Sequence, residues 1–175
     1  MGREPRAETG GERGVELRVM SWNLDGLGYA WEARSRAAFK CIEQERPDVV
    51  LLQELRRSAC KVAAFVEAFG AAFVVVVPTG VAQEEICCAV MLRQGVVRLV
   101  RKVWTPFASS NMGRGVLEVY VHVARAAGRV VLVATTHLES GVAAARERVE
   151  QLRTVLGRAG GSRLPALIGG DLNLR

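Results

Sequence analysis

Pro47-Asp-Val-Val-Leu-Leu-Gln-Glu54 is an apolar segment that runs directly into an amide and a carboxylate side chain. Residues 49–53 of this segment are typical of a buried β-strand. The helical pattern of residues 33–45 comes before it and ends near Pro47, because the residue before a proline is biased away from the helical conformation. A second helix is predicted over residues 59–69, closed by Gly70.

Outward from this segment, short apolar strands alternate with amphipathic helices. Gly- or Pro-containing turn signals separate many of the strands. Because strands outnumber helices, and helices stand at both ends of a central block of strands, we predict an α/β fold: a two-sheet β-sandwich flanked by helices. The other strands are predicted over residues 15–23, 72–77, 86–92, 96–104, 116–123, 130–136 and 166–168.

The last predicted helix, residues 142–156, has a clear amphipathic pattern. Its apolar side chains share one face at helical spacing, which predicts the face that packs on the sandwich. The members of this face are Val142, Val149, Leu152 and Leu156, with Arg146, Glu147 and Arg153 predicted to face water. In the strand 116–123, alternation puts His122 opposite the valines, which favours a solvated strand residue over a ligand.

Composition and charge narrow the class of protein. The chain has 175 residues, half of them apolar, which is enough for one domain with a sizeable core. Its apolar runs are all far shorter than the ~18 residues of a membrane span, so we predict no membrane insertion. Residues 1–14 lack the apolar segment of a signal peptide and predict a disordered tail before a domain over residues 15–175. A net charge of +6 favours a polyanionic partner such as nucleic acid, and the four cysteines favour reduced thiols in an intracellular protein.

Polar side chains at the ends of four predicted strands carry the chemistry. They lie in Ser21-Trp-Asn-Leu-Asp25, Leu52-Gln-Glu54, Thr136-His-Leu-Glu-Ser140 and Gly170-Asp-Leu-Asn173. Strand ends on one edge of a sheet converge, and such an edge is where sites form. Magnesium typically binds one or two carboxylates plus water, which makes Glu54 and Asp171 the natural metal ligands. Taken singly, each residue also fits a solvated or turn-capping role.

The order of these segments resembles the endonuclease/exonuclease/phosphatase superfamily. Within it, the chain is most similar to the 5′-tyrosyl-DNA phosphodiesterases, which remove trapped topoisomerase peptides from DNA 5′ ends. The resemblance implies a DNase-I-like, four-layer α/β/β/α fold, a magnesium cofactor (with manganese as a substitute) and a nuclear location. It rests on Ser21-Trp-Asn-Leu-Asp-Gly-Leu27, Pro47 to Glu54, Ala89-Val-Met-Leu92, Thr105-Pro-Phe-Ala-Ser-Ser110, Thr136 to Ser140 and Gly170-Asp-Leu-Asn-Leu-Arg175.

The resemblance also implies a role for each matching residue. Glu54 is expected to hold the metal with Asn23 beside it, and Asp171 and Asn173 to position and activate the attacking water. His137 and Ser140 are expected to contact the scissile phosphate, and Arg175 to lie along the nucleic-acid backbone. Arg114 matches a basic position that could pair with phosphate, and a solvated loop arginine is an equal alternative. The implied chemistry is metal-assisted phosphodiester hydrolysis.

The chain departs from the family pattern in two places. Family members continue beyond the position of Arg175 and close their site with a Ser-Asp-His segment. We therefore expect a C-terminally incomplete domain with little or no activity alone, which leaves a non-catalytic binding protein as an alternative. Glu85-Ile86 stands where family members have a Gly-Tyr pair that is implicated in substrate recognition. RNA, an abasic site or a phosphorylated small molecule therefore stay open as substrates of the same chemistry.

Overall fold

The computed structural model describes residues 16–26, 29–56, 67–79, 86–124 and 129–174. The predicted tail and most of the predicted helix 59–69 lie outside these residues. The helices described over their full length are α1 (Trp31–Glu45) and α2 (Ala145–Gly161), the second preceded by a 3₁₀ turn over Val142–Ala144. The strands are β1 (Val19–Asn23), β2 (Val49–Arg56), β3 (Phe73–Val76), β4 (Ile86–Arg93), β5 (Val97–Pro106), β6 (Gly115–Val123), β7 (Val130–His137) and β8 (Ala166–Asp171). None of the helices in this part of the chain is long and apolar enough to cross a membrane.

The strands form two four-stranded mixed sheets, in the orders β1-β2-β4-β3 and β5-β6-β7-β8. One parallel pair occurs in each sheet, β1 with β2 and β7 with β8, and the other pairs are antiparallel. A helix connects the members of each parallel pair, as a parallel connection requires. The parallel register places Asn23 beside Gln53 and His137 beside Asp171. The predicted polar strand ends therefore meet at one edge.

Three apolar layers hold the sandwich and its helices together. Valine and leucine side chains such as Val90 and Val119 fill the space between the sheets. The first sheet packs its other face on α1 through Ile42, and the second sheet packs on α2 through Val155. Burying each such side chain stabilises the fold by about 1.5–3 kcal/mol. The predicted α/β class and four-layer α/β/β/α order are confirmed.

The predicted buried face of α2 is wrong. Val142 lies in the preceding 3₁₀ turn and is 92% exposed, while Val149 and Leu156 are about half exposed, at 49% and 55%. The helix instead buries Arg148, Gln151 and Val155, with the predicted Leu152 packed partly buried beside them. Arg148 and Gln151 hydrogen-bond the backbone of Glu139, two residues after β7, and leaving such buried groups unpaired costs about 1–3 kcal/mol each. Polar pairing, rather than apolar spacing, therefore sets the rotation of this helix.

His122 is half-buried, so the prediction of a solvated strand residue is only partly correct. Its face of β6 contains Glu118, which is 2% exposed and accepts a hydrogen bond of 2.6 Å from Nε of Arg158 on α2. Tyr120 lies on the same face, buried beneath the guanidinium of Arg101. An ion pair and a stacked arginine cover this face of β6. The alternation of residues in the sequence predicts a polar face but not this cover.

Candidate active site

Asn23 connects the two sheets at the edge where the polar strand ends meet. Its side-chain Nδ2 donates to Oδ2 of Asp171 at 2.8 Å and to Oε1 of Glu54 at 3.3 Å. Its Oδ1 accepts the backbone N–H of Asp25 at 2.9 Å, which fixes the orientation of the amide. One amide thus holds a carboxylate from each sheet close together.

Glu54 reaches this position through an irregularity in β2. The pairing of β2 with β4 shifts register between Leu52 and Leu55, and Glu54 has a positive φ of 55°. A β-bulge of this kind re-aims a side chain, and a left-handed conformation is uncommon for a residue other than glycine. Gly26 lies directly against the Glu54 carbonyl, so that a Cβ at this position would overlap the oxygen. The loop after β1 and the bulge of β2 are therefore packed together.

His137 lies between these carboxylates and an arginine. Its Nδ1 is 2.7 Å from Nη1 of Arg114, and its Nε2 is 3.6 Å from Oδ2 of Asp171. Burial, and then the charge of Arg114, hold the pKa of His137 below its ordinary value in spite of the nearby carboxylates. Because a guanidinium can only donate, Nδ1 of the neutral ring accepts from Arg114 and Nε2 carries the proton.

Asp171 is held as a carboxylate. Burial raises its pKa, but hydrogen bonds from the Asn23 side chain and the Asn173 backbone, with the charges nearby, leave the pKa below its usual value. Asn173 donates its backbone N–H to Oδ1 of Asp171 at 3.0 Å, and its Nδ2 donates to the Leu138 carbonyl at 3.0 Å. Asn173 therefore anchors the end of β8 to the end of β7.

The structure brings together most of the predicted site residues. Arg114, for which a solvated position was the alternative, is half-buried against His137. Ser140 lies at the rim, where its hydroxyl is 3.3 Å from Sδ of Met112. Arg175 lies outside the described residues. The residues that share the cluster are Asn23, Glu54, Arg114, His137 and Asp171, with Asn173 beside it.

A narrow pocket adjoins the cluster and has a mostly apolar wall. Glu54, Arg114 and His137 line one part of it, and Ile86 and Trp104 are among the side chains that line the rest. Cys88 also borders the pocket, and burial raises the pKa of its thiol to about 12. Since a thiolate is the nucleophilic form of cysteine, Cys88 is unsuited to covalent catalysis.

The donor set fits a hard divalent cation with few protein ligands. No group of three or more His, Cys, Asp or Glu side chains in the described ranges is arranged to enclose a metal ion. Magnesium does not need such a cage, because water and substrate phosphate complete its octahedron around one or two carboxylates. Glu54 and Asp171, held by one amide, could supply those carboxylates.

Other buried polar residues support the site and were given no role in the sequence analysis. Gln53 is 1% exposed and donates to Oγ1 of Thr135 on the opposite sheet at 3.0 Å. Glu139 accepts hydrogen bonds from the β5–β6 loop and contacts Gln151 of α2. Two of these residues could have been found from the sequence. Gln53 is a polar residue within an apolar segment, and Gln151 is a polar residue among the side chains of one helix face.

Comparison with known proteins shows the family of the chain. Residues 20–175 match the sequence model of the Endonuclease/Exonuclease/phosphatase family. The chain belongs to this family. It is 31% identical over 159 residues to tyrosyl-DNA phosphodiesterase 2 of Xenopus laevis, an alignment that includes 89% of this chain and 40% of the relative. The chain thus spans less than half the length of that family member.

Solved structures of the family show the same fold. A humanized D. rerio TDP2 superposes with a TM-score of 0.79 and 28% identity, covering 91% of this chain and 67% of the other. D. rerio TDP2 complexed with single strand DNA product gives a TM-score of 0.78 and 29% identity, covering 91% and 61%. The two-sheet architecture of the family is thus present in the described residues.

Proposed function

We propose that this protein is a metal-dependent phosphodiesterase that hydrolyses phosphodiester bonds at DNA 5′ ends in DNA repair. The observation that carries the proposal is the Asn23 amide, which joins Glu54 and Asp171 beside a neutral His137 that is itself bonded to Arg114. Carboxylates for a cation, next to donors for a phosphate, are the combination that metal-assisted phosphoryl chemistry requires. Membership of the family and the likeness to tyrosyl-DNA phosphodiesterases support it.

Magnesium is the proposed cofactor, with manganese as a substitute. Glu54 and Asp171 would hold the ion, which when bound neutralises phosphate charge during hydrolysis. Both carboxylates are connected through Asn23, so loss of this amide would separate them. Isothermal titration with Mg²⁺ tests the site, with Glu54→Gln expected to abolish the saturable heat that the unmodified protein shows.

The remaining residues bind and orient the reacting groups. Asp171, supported by Asn173, aligns a water for in-line attack and accepts its proton as the new oxygen–phosphorus bond forms. The bond between phosphorus and the leaving-group oxygen breaks in the same step, and this oxygen departs as an anion that takes a proton from water. The Nε2–H of His137 donates to a phosphate oxygen, and the guanidinium of Arg114 offsets the charge of the phosphate. Ser140 at the rim and Arg175 are proposed as further contacts to phosphate and nucleic-acid backbone.

The proposed substrate is a DNA 5′ end that carries a covalent protein adduct. The similarity to tyrosyl-DNA phosphodiesterase 2 and the single strand DNA product in one related structure support this class. The test is release of tyrosine from a 5′-tyrosyl oligonucleotide by protein expressed from its complete coding sequence. Glu54→Gln should abolish this release, while Gln44→Ala, an exposed amide on α1, should not change it. Equal turnover by the Glu54 variant would refute the proposal.

A panel of other substrates separates the alternatives. RNA ends, abasic-site DNA and small phosphorylated molecules require the same metal chemistry but different contacts in the pocket. Faster turnover of one of these than of the 5′-tyrosyl oligonucleotide would reassign the substrate and leave the chemistry intact. The absence of turnover on every substrate, with saturable DNA binding that weakens in salt, would instead support a non-catalytic binding protein.

We also propose a nuclear location, which the proposed DNA substrate favours. The domain is proposed to span residues 15–175, after a disordered tail over residues 1–14. Imaging of the tagged protein in cells of its source tests the location, and limited proteolysis tests the boundary. Exclusion from the nucleus, or protection of residues 1–14, would contradict the corresponding part of the proposal.

A further inference from the structure

Glu139 is a buried carboxylate beside the candidate active site. It follows His137 by two residues and is 4% exposed. Its Oε2 accepts the Ser110 hydroxyl at 2.7 Å and Nε2 of Gln151 at 3.4 Å, and its Oε1 accepts the backbone N–H of Asn111 at 3.0 Å. These donors replace the water that burial removes, so both carboxylate oxygens have hydrogen-bond partners inside the protein.

Ser110 connects Glu139 to the backbone of Arg114. The Ser110 hydroxyl donates to Glu139, and its oxygen accepts the backbone N–H of Arg114 at 2.8 Å and of Met112 at 3.1 Å. The same loop is closed at its base by the Phe107 N–H, which donates to the Arg114 carbonyl at 2.9 Å. The backbone of Arg114 is therefore held on both sides of its Cα atom.

The guanidinium of Arg114 completes a ring of contacts. It lies 2.7 Å from Nδ1 of His137, which belongs to the same segment as Glu139. The ring runs from His137 along the chain to Glu139, across to Ser110, and back through Arg114. The segments Thr105 to Ser110 and Thr136 to Ser140, which both resemble the family, are in contact through this ring. The ring is therefore a physical reason for the two segments to occur together.

Helix α2 holds the Glu139 end of this ring. Gln151 accepts the Glu139 backbone N–H at 2.8 Å, and Nη1 of Arg148 donates to the Glu139 carbonyl at 3.2 Å. The two side chains that replace the predicted apolar face of α2 therefore both act on this one residue. Helix α2 therefore holds Glu139, and Glu139 in turn holds Arg114 through Ser110.

We propose that Glu139 is a positioning residue, which acts through Ser110 to hold Arg114 on His137 and so presents the arginine to the phosphate. This inference rests on the proposed phosphodiester hydrolysis for its consequence in catalysis. The Glu139→Gln variant keeps the size of the side chain but replaces one acceptor oxygen by an amide N–H group. Because the neighbouring groups are donors, the β5–β6 loop loses at least one of its hydrogen bonds. Arg114 should then lose its fixed position without any change to its own side chain.

The contact can be measured without turnover, because the chain contains two histidines. Long-range ¹H–¹⁵N spectra of the ring nitrogens, recorded on the 175-residue chain at one pH, report His137 with His122 as the internal reference. Arg114→Ala should shift Nδ1 of His137, and Glu139→Gln and Ser110→Ala should shift it in the same direction. An unchanged His137 signal in both Glu139→Gln and Ser110→Ala would overturn the inference, as would an unchanged signal in Arg114→Ala.

Glu118→Gln is the matched control, because Glu118 is an equally buried carboxylate that pairs with Arg158 away from the site. It should destabilise the fold and leave the His137 signal in place. A His137 shift in this control equal to that in Glu139→Gln would mean that general loosening is responsible and would overturn the inference.

Steady-state kinetics tests the effect of Glu139 on catalysis. In protein expressed from its complete coding sequence, Glu139→Gln should lower kcat for a 5′-tyrosyl oligonucleotide by about tenfold or more, a typical loss for a residue that orients a catalytic group. Arg114→Ala should lower it further, and adding Glu139→Gln to Arg114→Ala should change nothing. Additive losses would overturn the positioning role. Absence of turnover in the unmodified protein would refute the proposed function alone, since the ring-nitrogen spectra judge the geometry separately.

Discussion

The side-chain amide of Asn23 donates a 2.8 Å hydrogen bond to Asp171, 148 residues away in the sequence and on the opposite sheet. The same nitrogen reaches Glu54 at 3.3 Å, so one small side chain sets the separation of two carboxylates that come from different sheets. The hydrogen bond therefore connects the two sheets at the candidate site. Gln53 makes a similar connection to Thr135 deeper in the sandwich.

Replacing Asn23 by alanine should weaken both metal binding and turnover. The amide orients both carboxylates, and loss of such a supporting partner typically costs about 10–100-fold in metal affinity or activity. The variant should also raise the pKa of Asp171, because the Asn23 hydrogen bond is one cause of its low value. Steady-state kinetics over a range of Mg²⁺ concentrations measures the first effect. Gln44→Ala is the control, and equal kinetics for both variants would contradict the role of Asn23.

Replacing Gly26 by alanine should displace Glu54. The new Cβ would overlap the Glu54 carbonyl oxygen and press on Ile86, and backbone atoms cannot rotate away. Overpacking of this kind typically costs about 1–3 kcal/mol of stability, and here the displaced residue is a candidate metal ligand. Urea denaturation and Mg²⁺ titration should therefore both reveal a loss.

Gly157→Ala is the matched control for Gly26→Ala. No heavy atom lies within 4 Å of a Cβ built at Gly157, which lies in the interior of α2. Removing a glycine from a helix should stabilise the fold by about 0.5–1 kcal/mol without a change in Mg²⁺ affinity. Similar losses in both variants would show that the space around Gly26 is not the cause.

Removing the positive charge of Arg158 should destabilise the fold. Glu118 is 2% exposed, and without Arg158 its charge would be buried and unpaired. Breaking a buried pair costs about 3–5 kcal/mol, and we expect the low end because the Arg158 side chain is 36% exposed. Urea denaturation of Arg158→Met measures the change. Arg146→Met breaks a solvent-exposed pair with Glu150 and should cost less than about 1 kcal/mol, so equal losses would contradict the account.

Cys88 should resist alkylation in the folded chain. Burial, with the charge of Cys87, raises its pKa from 9.0 to about 12, so the reactive thiolate is scarce at pH 8. Peptide mass spectrometry after iodoacetamide should find Cys88 unmodified in the native protein and modified in urea. Rapid native modification would contradict its burial.

The same shift in the pKa of Cys88 predicts a loss of stability at alkaline pH. The folded state holds this proton more tightly than the unfolded state, so the stabilisation is complete below pH 9.0 and is lost as the pH rises toward 12. Cys88→Ala should remove that part of the alkaline pH dependence. Urea denaturation of both proteins from pH 8 to 11 measures it, and identical pH profiles would contradict the shift.

Much of the architecture could be predicted from residue patterns. Strand positions followed from apolar runs bounded by turns, since a buried strand must bury its side chains over a short length. Their ends were less accurate: β2 continues through the Glu54 bulge to Arg56, and β8 continues to Asp171. These extensions depend on pairing with neighbouring strands, which no local pattern records.

The sequence by itself determined the two-sheet sandwich flanked by helices and the residues that the strand ends would bring to one edge. It did so because hydrophobic periodicity selects the elements and parallel pairing aligns their ends. Only the tertiary structure decided that Asn23 would hold Asp171 and Glu54 together, that Arg114 would lie on His137, and that α2 would bury Arg148 and Gln151. These outcomes depend on hydrogen bonds between distant segments, and a buried polar group takes whichever partner the fold brings within reach.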